Sequence, residues 1–175
     1  LTDKARICIA AVRLPTIEEW ARAVKAVKGE NSILHWNKVL SWCQDTDSDC
    51  PTFRSARGGF HPGDHCHPYY THRGSSVGFR PVFEGRGFSN IPDGSIIPAV
   101  ATLFMNGHPV KVPTSPFEGG DIPAWAPGIT LKFGDPLDIP SYQVSAIKAG
   151  NILVADQVLL TYISWEDLER QGFHG

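Results

Sequence analysis

The sequence predicts an α+β protein of 175 residues. It is expected to divide near residue 87 into a mixed, loop-rich first part (1–86) and a small, mostly β second part (88–175). Three observations carry that expectation. One capped amphipathic helix stands close to the start, a Gly/Asn/Pro/Asp stretch, "GRGFSNIPDGS", interrupts the middle, and short apolar runs broken by turn residues follow it.

The elements follow in chain order. "ARICIAAVRL" reads as a strand, with Ile7 and Ile9 alternating and Val12 continuing the apolar run. In "LPTIEEWARAVKAVKG", Thr16 is the expected N-cap and Glu19, three residues on, completes a capping box. Ile17, Trp20, Ala21, Val24 and Val27 then recur at helical spacing, with Trp20 facing the core, and Gly29 stops the helix. Asn31 to Arg57 is rich in Trp, Asp and Ser and has few periodic signals, whereas "SVGFRPVFE" reads as a buried strand over Val77–Phe83. In the second part "IIPAVATLFMNG", "HPVKVP", "GITLKFG", "YQVSAIKAGN" and "ILVADQVLLTYI" read as strands. "SWEDLERQGF" reads as a short helix with Ser164 as its cap and Asp167 at the third helical position. More than half of the fourteen prolines lie between Pro92 and Pro140, which suits a small sandwich or barrel with many strand edges.

Composition excludes some classes. The chain is 42% hydrophobic and 19% charged with a formal charge of −2, too near neutral to form an electrostatic footprint for nucleic acid or an anionic bilayer. No apolar run approaches the ~20 residues of a membrane helix. The opening "LTDKARICIAAV" has too short an apolar part for a signal peptide. Cys8, Cys43, Cys50 and Cys66 form no CxxC pair, so zinc-type spacing is missing. Cys43 and Cys50 flank an Asp-rich loop, and whether they are bridged stays open.

The chemistry concentrates in "GGFHPGDHCHPYYTHRG" (Gly58–Gly74), with four histidines, a cysteine, an aspartate and two adjacent tyrosines. Chelation of a transition metal by His61, His65, His67 and His72 with Cys66 and Asp64 is one reading, a contact surface another. The contact surface is favoured. Tyr and His offer large area, few rotatable bonds and a polar tip, the glycines permit irregular backbone, and Pro62 and Pro68 stiffen it. Asp45, Asp47 and Asp49 have calcium-like spacing but lack the glycine and terminal glutamate of an EF-hand loop, so a solvated acidic turn is expected. Arg13, Arg57 and Arg80 are expected to tie loops to carbonyls or carboxylates, and His108 is expected in a structural turn.

Three framing fragments, in order, resemble the formylglycine-generating enzyme family: "RLPTIEEW" (13–20), "RSARGG" (54–59) and "SSVGFRPV" (75–82). The resemblance implies a C-type-lectin-like fold for residues 1–86. The oxidases of that family use two cysteines shortly after the RGG turn, where this chain has Cys66 alone. The segment between the RGG and GFR fragments is similar instead to that of hypervariable phage and bacterial surface proteins such as the major tropism determinant. Those proteins diversify it by a process that yields no Lys, Glu, Gln, Met or Trp. None of the five occurs from Asp45 to Phe83, where the chain's own frequency would give about five. "HWNKVLSWCQDT" (35–46) is similar to the Trp-rich lead-in of such segments in phage virion proteins.

The resulting expectation is a non-enzymatic virion protein of tail, fibre or head decoration that binds a host-surface glycan or protein. It would act without a cofactor, and a bacterial cell-surface location is the alternative. The expected contact residues are Trp42, Asp45, Asp47 and Phe53 from the lead-in, with Phe60, His61, Asp64, His65, His67, Tyr69, Tyr70 and His72. The second part would attach to other virion proteins, and homo-oligomerisation is expected. A metal-dependent oxidoreductase using Cys66 and a purely structural cement protein are the alternatives.

Overall fold

The computed structural model describes residues 7–27, 39–46, 50–58, 65–114 and 121–174. Helix α1 (Ile17–Ala26) begins at the expected capping box: Thr16 Oγ1 accepts the Glu19 N–H at 3.0 Å and Glu19 Oε1 accepts the Thr16 N–H at 2.9 Å. The same carboxylate takes both terminal nitrogens of Arg13 at 2.7 Å. Helix α2 (Trp165–Arg170) repeats the device with Ser164 and Asp167. Each cap is complete within four residues, which is why it can be read from the sequence.

The strands are β1 (Cys8–Arg13), β2 (Leu40–Thr46), β3 (Arg54–Gly58), β4 (His65–Cys66), β5 (Val77–Phe79), β6 (Val82–Arg86), β7 (Ile96–Met105), β8 (His108–Pro109), β9 (Leu131–Gly134), β10 (Val144–Ala149), β11 (Ile152–Ala155) and β12 (Leu160–Thr161). One sheet is a curled antiparallel half-barrel in the order β1-β6-β11-β10-β7-β8, with β9 also on β7. The other runs β12-β5-β2-β3-β4, with β2 and β5 parallel. The expected strand Val77–Phe83 is broken at Arg80 and Pro81, where the chain leaves one sheet for the other.

The expected α+β class, with a lectin-like first domain, is corrected to a mostly β fold. The only α-helices among the described residues have ten and six residues, and they form no layer of their own. Strands from both sides of residue 87 interleave: β6 lies between β1 and β11, and β5 lies between β2 and β12. The physical reason is burial on both faces. On β11, Ile152 and Val154 face α1 while Leu153 and Ala155 face the central core, and Val82 and Phe83 divide the same way on β6. Trp20, Ala23 and Val27 of α1 cover the outer face. A strand like β6 cannot satisfy two cores from its own half of the chain.

Arg80 joins the sheets. Fully buried, it donates to Ser41 Oγ on β2 at 3.0 Å and to the Ala155 carbonyl on β11 at 2.9 Å, with its guanidinium 5.2 Å from the Trp20 ring. Arg13 also bonds as expected, to the carboxylate of Glu19, while Arg57 donates to the carbonyl of its own neighbour Ala56 on β3. All four cysteines are free, Cys43 and Cys50 included. No helix among the described residues is long and apolar enough to cross a membrane.

Candidate ligand-contact site

The segment between the RGG and GFR fragments is framed by two glycines that no other residue replaces without strain. Gly58 ends β3 at φ +97°, and a Cβ there would lie 3.2 Å from the Trp20 ring. Gly78 lies in β5, and a Cβ there would meet the Leu160 carbonyl oxygen at 2.2 Å. The frame is therefore fixed by packing at both ends.

Between them, β3 is largely buried and β4 is the edge strand outside it, with Ala56 opposite Cys66 and Arg57 opposite His65. Strand alternation sends the His65 and His67 rings to one side and the Cys66 thiol to the other. The two imidazoles meet edge to face with centroids 6.1 Å apart, and all three side chains are exposed. Next, Tyr69 pairs with Phe53 across an isolated bridge and stacks on its ring at 4.5 Å and 25°. That leaves the outer face of Tyr69, 57% exposed, open to solvent. The chain then turns, with the His72 N–H donating to the Tyr69 carbonyl at 3.0 Å and the His72 ring lying over Gly74.

The turn is clamped from beneath. Arg54 lies with its guanidinium carbon 4.3 Å from the Trp165 ring and 5.4 Å from the Tyr70 ring, and it donates to the carbonyls of Pro51 and Phe53. The Tyr70 N–H donates to the Thr52 carbonyl, and the Glu166 N–H donates to the Tyr70 carbonyl, both at 2.9 Å. Arg73 grips Asp167 with two bonds of 2.8 Å. Burial pushes the Asp167 carboxyl up, but the Arg73 guanidinium and the Ser164 N–H outweigh it and hold the group below its ordinary value. The Tyr162 N–H donates to the Gly74 carbonyl at 3.0 Å.

Of the expected contact residues, Phe53, His65, His67, Tyr69 and His72 gather on this edge, while Tyr70 is half-buried behind it. Trp42 does not belong to the surface. It is completely buried on β2, and its indole N–H donates to the Ile163 carbonyl at 2.9 Å. Asp45 turns inward as well, accepting the Ile17 N–H at 2.7 Å and so adding a second cap to α1. Asp47, Phe60, His61 and Asp64 lie outside the described residues. Among the described residues no three His, Cys, Asp or Glu side chains gather to hold a metal ion.

Sequence reasoning missed the supports: Arg54, Arg73, Trp165, and Asp167 in its second role. It also missed Tyr162, whose ring is 47% exposed. An arginine on either side of the tyrosine pair was the available signal, but nothing local says which distant carboxylate or ring each one meets. An open trough of about 970 Å³ lies elsewhere, between β1, β7 and β9, and no expected contact residue lines it. No family model, curated protein or solved structure matches the chain.

Proposed function

We propose that the protein is a non-enzymatic binding component of a phage particle, in its tail, fibre or head decoration, that presents the β4 edge and the 69–74 turn to a host-surface glycan or protein. The observation that carries the reading is the exposed Tyr69 ring, backed by Phe53 and flanked by His65 and His67 on a clamped backbone. Rigid aromatic contacts lose little conformational entropy on binding, and a pre-set backbone lowers the ordering cost further. The residue usage from Asp45 to Phe83 and the framing fragments support the same reading by resemblance to hypervariable surface proteins. The exposed Ile96, at the start of β7, and Ile139 are the apolar contacts offered to virion neighbours or further copies of the chain.

Fluorescently labelled protein should bind saturably to the surface of some strains in a panel of bacteria. The triple variant His65→Ala/His67→Ala/Tyr69→Ala removes exposed groups and the Tyr69–Phe53 stack, so its stability should fall by no more than the roughly 0.5–1.5 kcal/mol of that ring pair. Its affinity should fall at least about 30-fold, the size of a hot-spot loss of roughly 2 kcal/mol. Equal binding by the folded triple variant would refute the assignment of this edge.

A further inference from the structure

We infer that the contact surface crosses from the framed segment onto Tyr162, and that its ligand is a neutral saccharide. The inference rests on the binding reading above and adds a residue and a ligand class to it.

Four large apolar side chains are exposed among the described residues: Tyr69, Ile96, Ile139 and Tyr162. Both aromatic ones lie against the 69–74 turn. The backbone shows the continuity, because the His72 N–H bonds the Tyr69 carbonyl, the His72 ring lies over Gly74, and the Gly74 carbonyl takes the Tyr162 N–H. Backbone hydrogen bonds thus join Tyr69 to His72 and Gly74 to Tyr162 in a single backbone strip.

Tyr162 holds φ +58°, a left-handed conformation that a bulky side chain seldom adopts and that glycine reaches freely. The neighbours Thr161 and Ile163 are buried, whereas the Tyr162 ring points outward. Thr161 is locked opposite Gly78 in the β12–β5 ladder, so the backbone twist that presents the ring is imposed by the same frame that closes the segment. A strained residue with an exposed ring beside a contact surface fits a role in contact better than one in stability.

The charges of the strip decide the ligand class. Arg73 is committed to Asp167, Arg170 to Glu166 and Asp167, and Arg54 to two carbonyls and the Trp165 face. Arg73 and Arg170, the arginines with carboxylate partners, offer an anionic ligand charges that are already neutralised within the protein, and Arg54 is held over the Trp165 and Tyr70 rings beneath the turn. Among the described residues, the groups on this surface without a charge partner to break are two phenol rings with hydroxyl tips and the imidazoles of His65, His67 and His72. A neutral pyranose matches that inventory: its C–H faces are apolar and electropositive against an aromatic π-face, and its rim of hydroxyls meets phenol and imidazole.

The test uses the whole chain on a printed array of neutral and acidic oligosaccharides, with titration of the best neutral binder. Neutral saccharides should give the signal. Tyr162→Gly, which relieves the backbone, should melt no lower than the wild type yet bind at least about tenfold more weakly. Tyr162→Phe, which keeps the ring face, should stay within a few-fold of the wild type. Binding to acidic saccharides alone, or to a protein alone, would overturn the neutral-saccharide assignment and leave the binding reading standing. A Tyr162→Gly variant that binds normally while Tyr69→Ala does not would overturn the extension of the surface onto Tyr162 and likewise leave the binding reading standing. Failure of the wild type to bind either the array or intact cells would overturn both.

Discussion

Replacing Asp167 with alanine removes three partnerships at once. The carboxylate accepts the Ser164 N–H at 2.9 Å inside the protein, pairs with Arg73 through two bonds of 2.8 Å, and takes a third arginine contact from Arg170 at 3.2 Å. Leaving the buried Ser164 N–H without an acceptor costs about 1–3 kcal/mol. The Arg73 pair would add about 1.5–3 kcal/mol if it were dry. Arg73 is 41% exposed and rehydrates, so its share is nearer 1 kcal/mol. The expected loss is about 2–4 kcal/mol, which for a chain of this size lowers the melting temperature by roughly 4–16 °C. Urea titration of both proteins measures it directly, as a shifted midpoint at constant slope.

Its dependence on pH tests the mechanism. The folded Asp167 carboxyl titrates below its ordinary 3.8, so its stabilisation is complete above that value and is lost as pH falls through the folded value. The gap between wild type and variant should therefore be the same at about pH 7 and about pH 5, and narrower at about pH 2.5. A gap under about 1 kcal/mol at neutral pH, or one that does not narrow in acid, would show that the charge does not hold the turn.

Two further outcomes follow from burial. Cys43 is fully buried, and burial first, then the Asp45 charge, pushes its thiol up to about 12, so a thiol reagent should label the exposed Cys8 and Cys66 at once and Cys43 only in denaturant. A single fast phase for all the thiols would contradict the packing of β2. Trp42→Ala should cost about 3–5 kcal/mol in a denaturation curve while the folded fraction binds cells as the wild type does; normal stability with lost binding would return Trp42 to the surface.

What the sequence disclosed was local. Both helix caps, the turn at Asn106–Gly107 and the positions of the strands other than β2, β3 and β4 are set by neighbours a few residues apart. Trp42 shows the limit: "LSWCQ" alternates poorly, because Ser41, Trp42 and Cys43 are all buried between layers, and no nearby residue signals which layer covers the indole. The same limit hid Tyr162 and Asp167, whose partners Gly74 and Arg73 stand about ninety residues away. The expected split into a mixed part and a β part took a composition change for a structural one. Long-range ladders leave no such trace in composition.

The interleaved sheets bear on how the protein is made. Strand β6 pairs with β1 behind it and β11 far ahead, and β5 waits for β12. A nascent chain paused after Arg86 would carry two half-filled ladders, both apolar, with nothing yet synthesised to close them. Completion is deferred until β12 leaves the ribosome, and chaperones that shield bare strand edges would act over that whole interval.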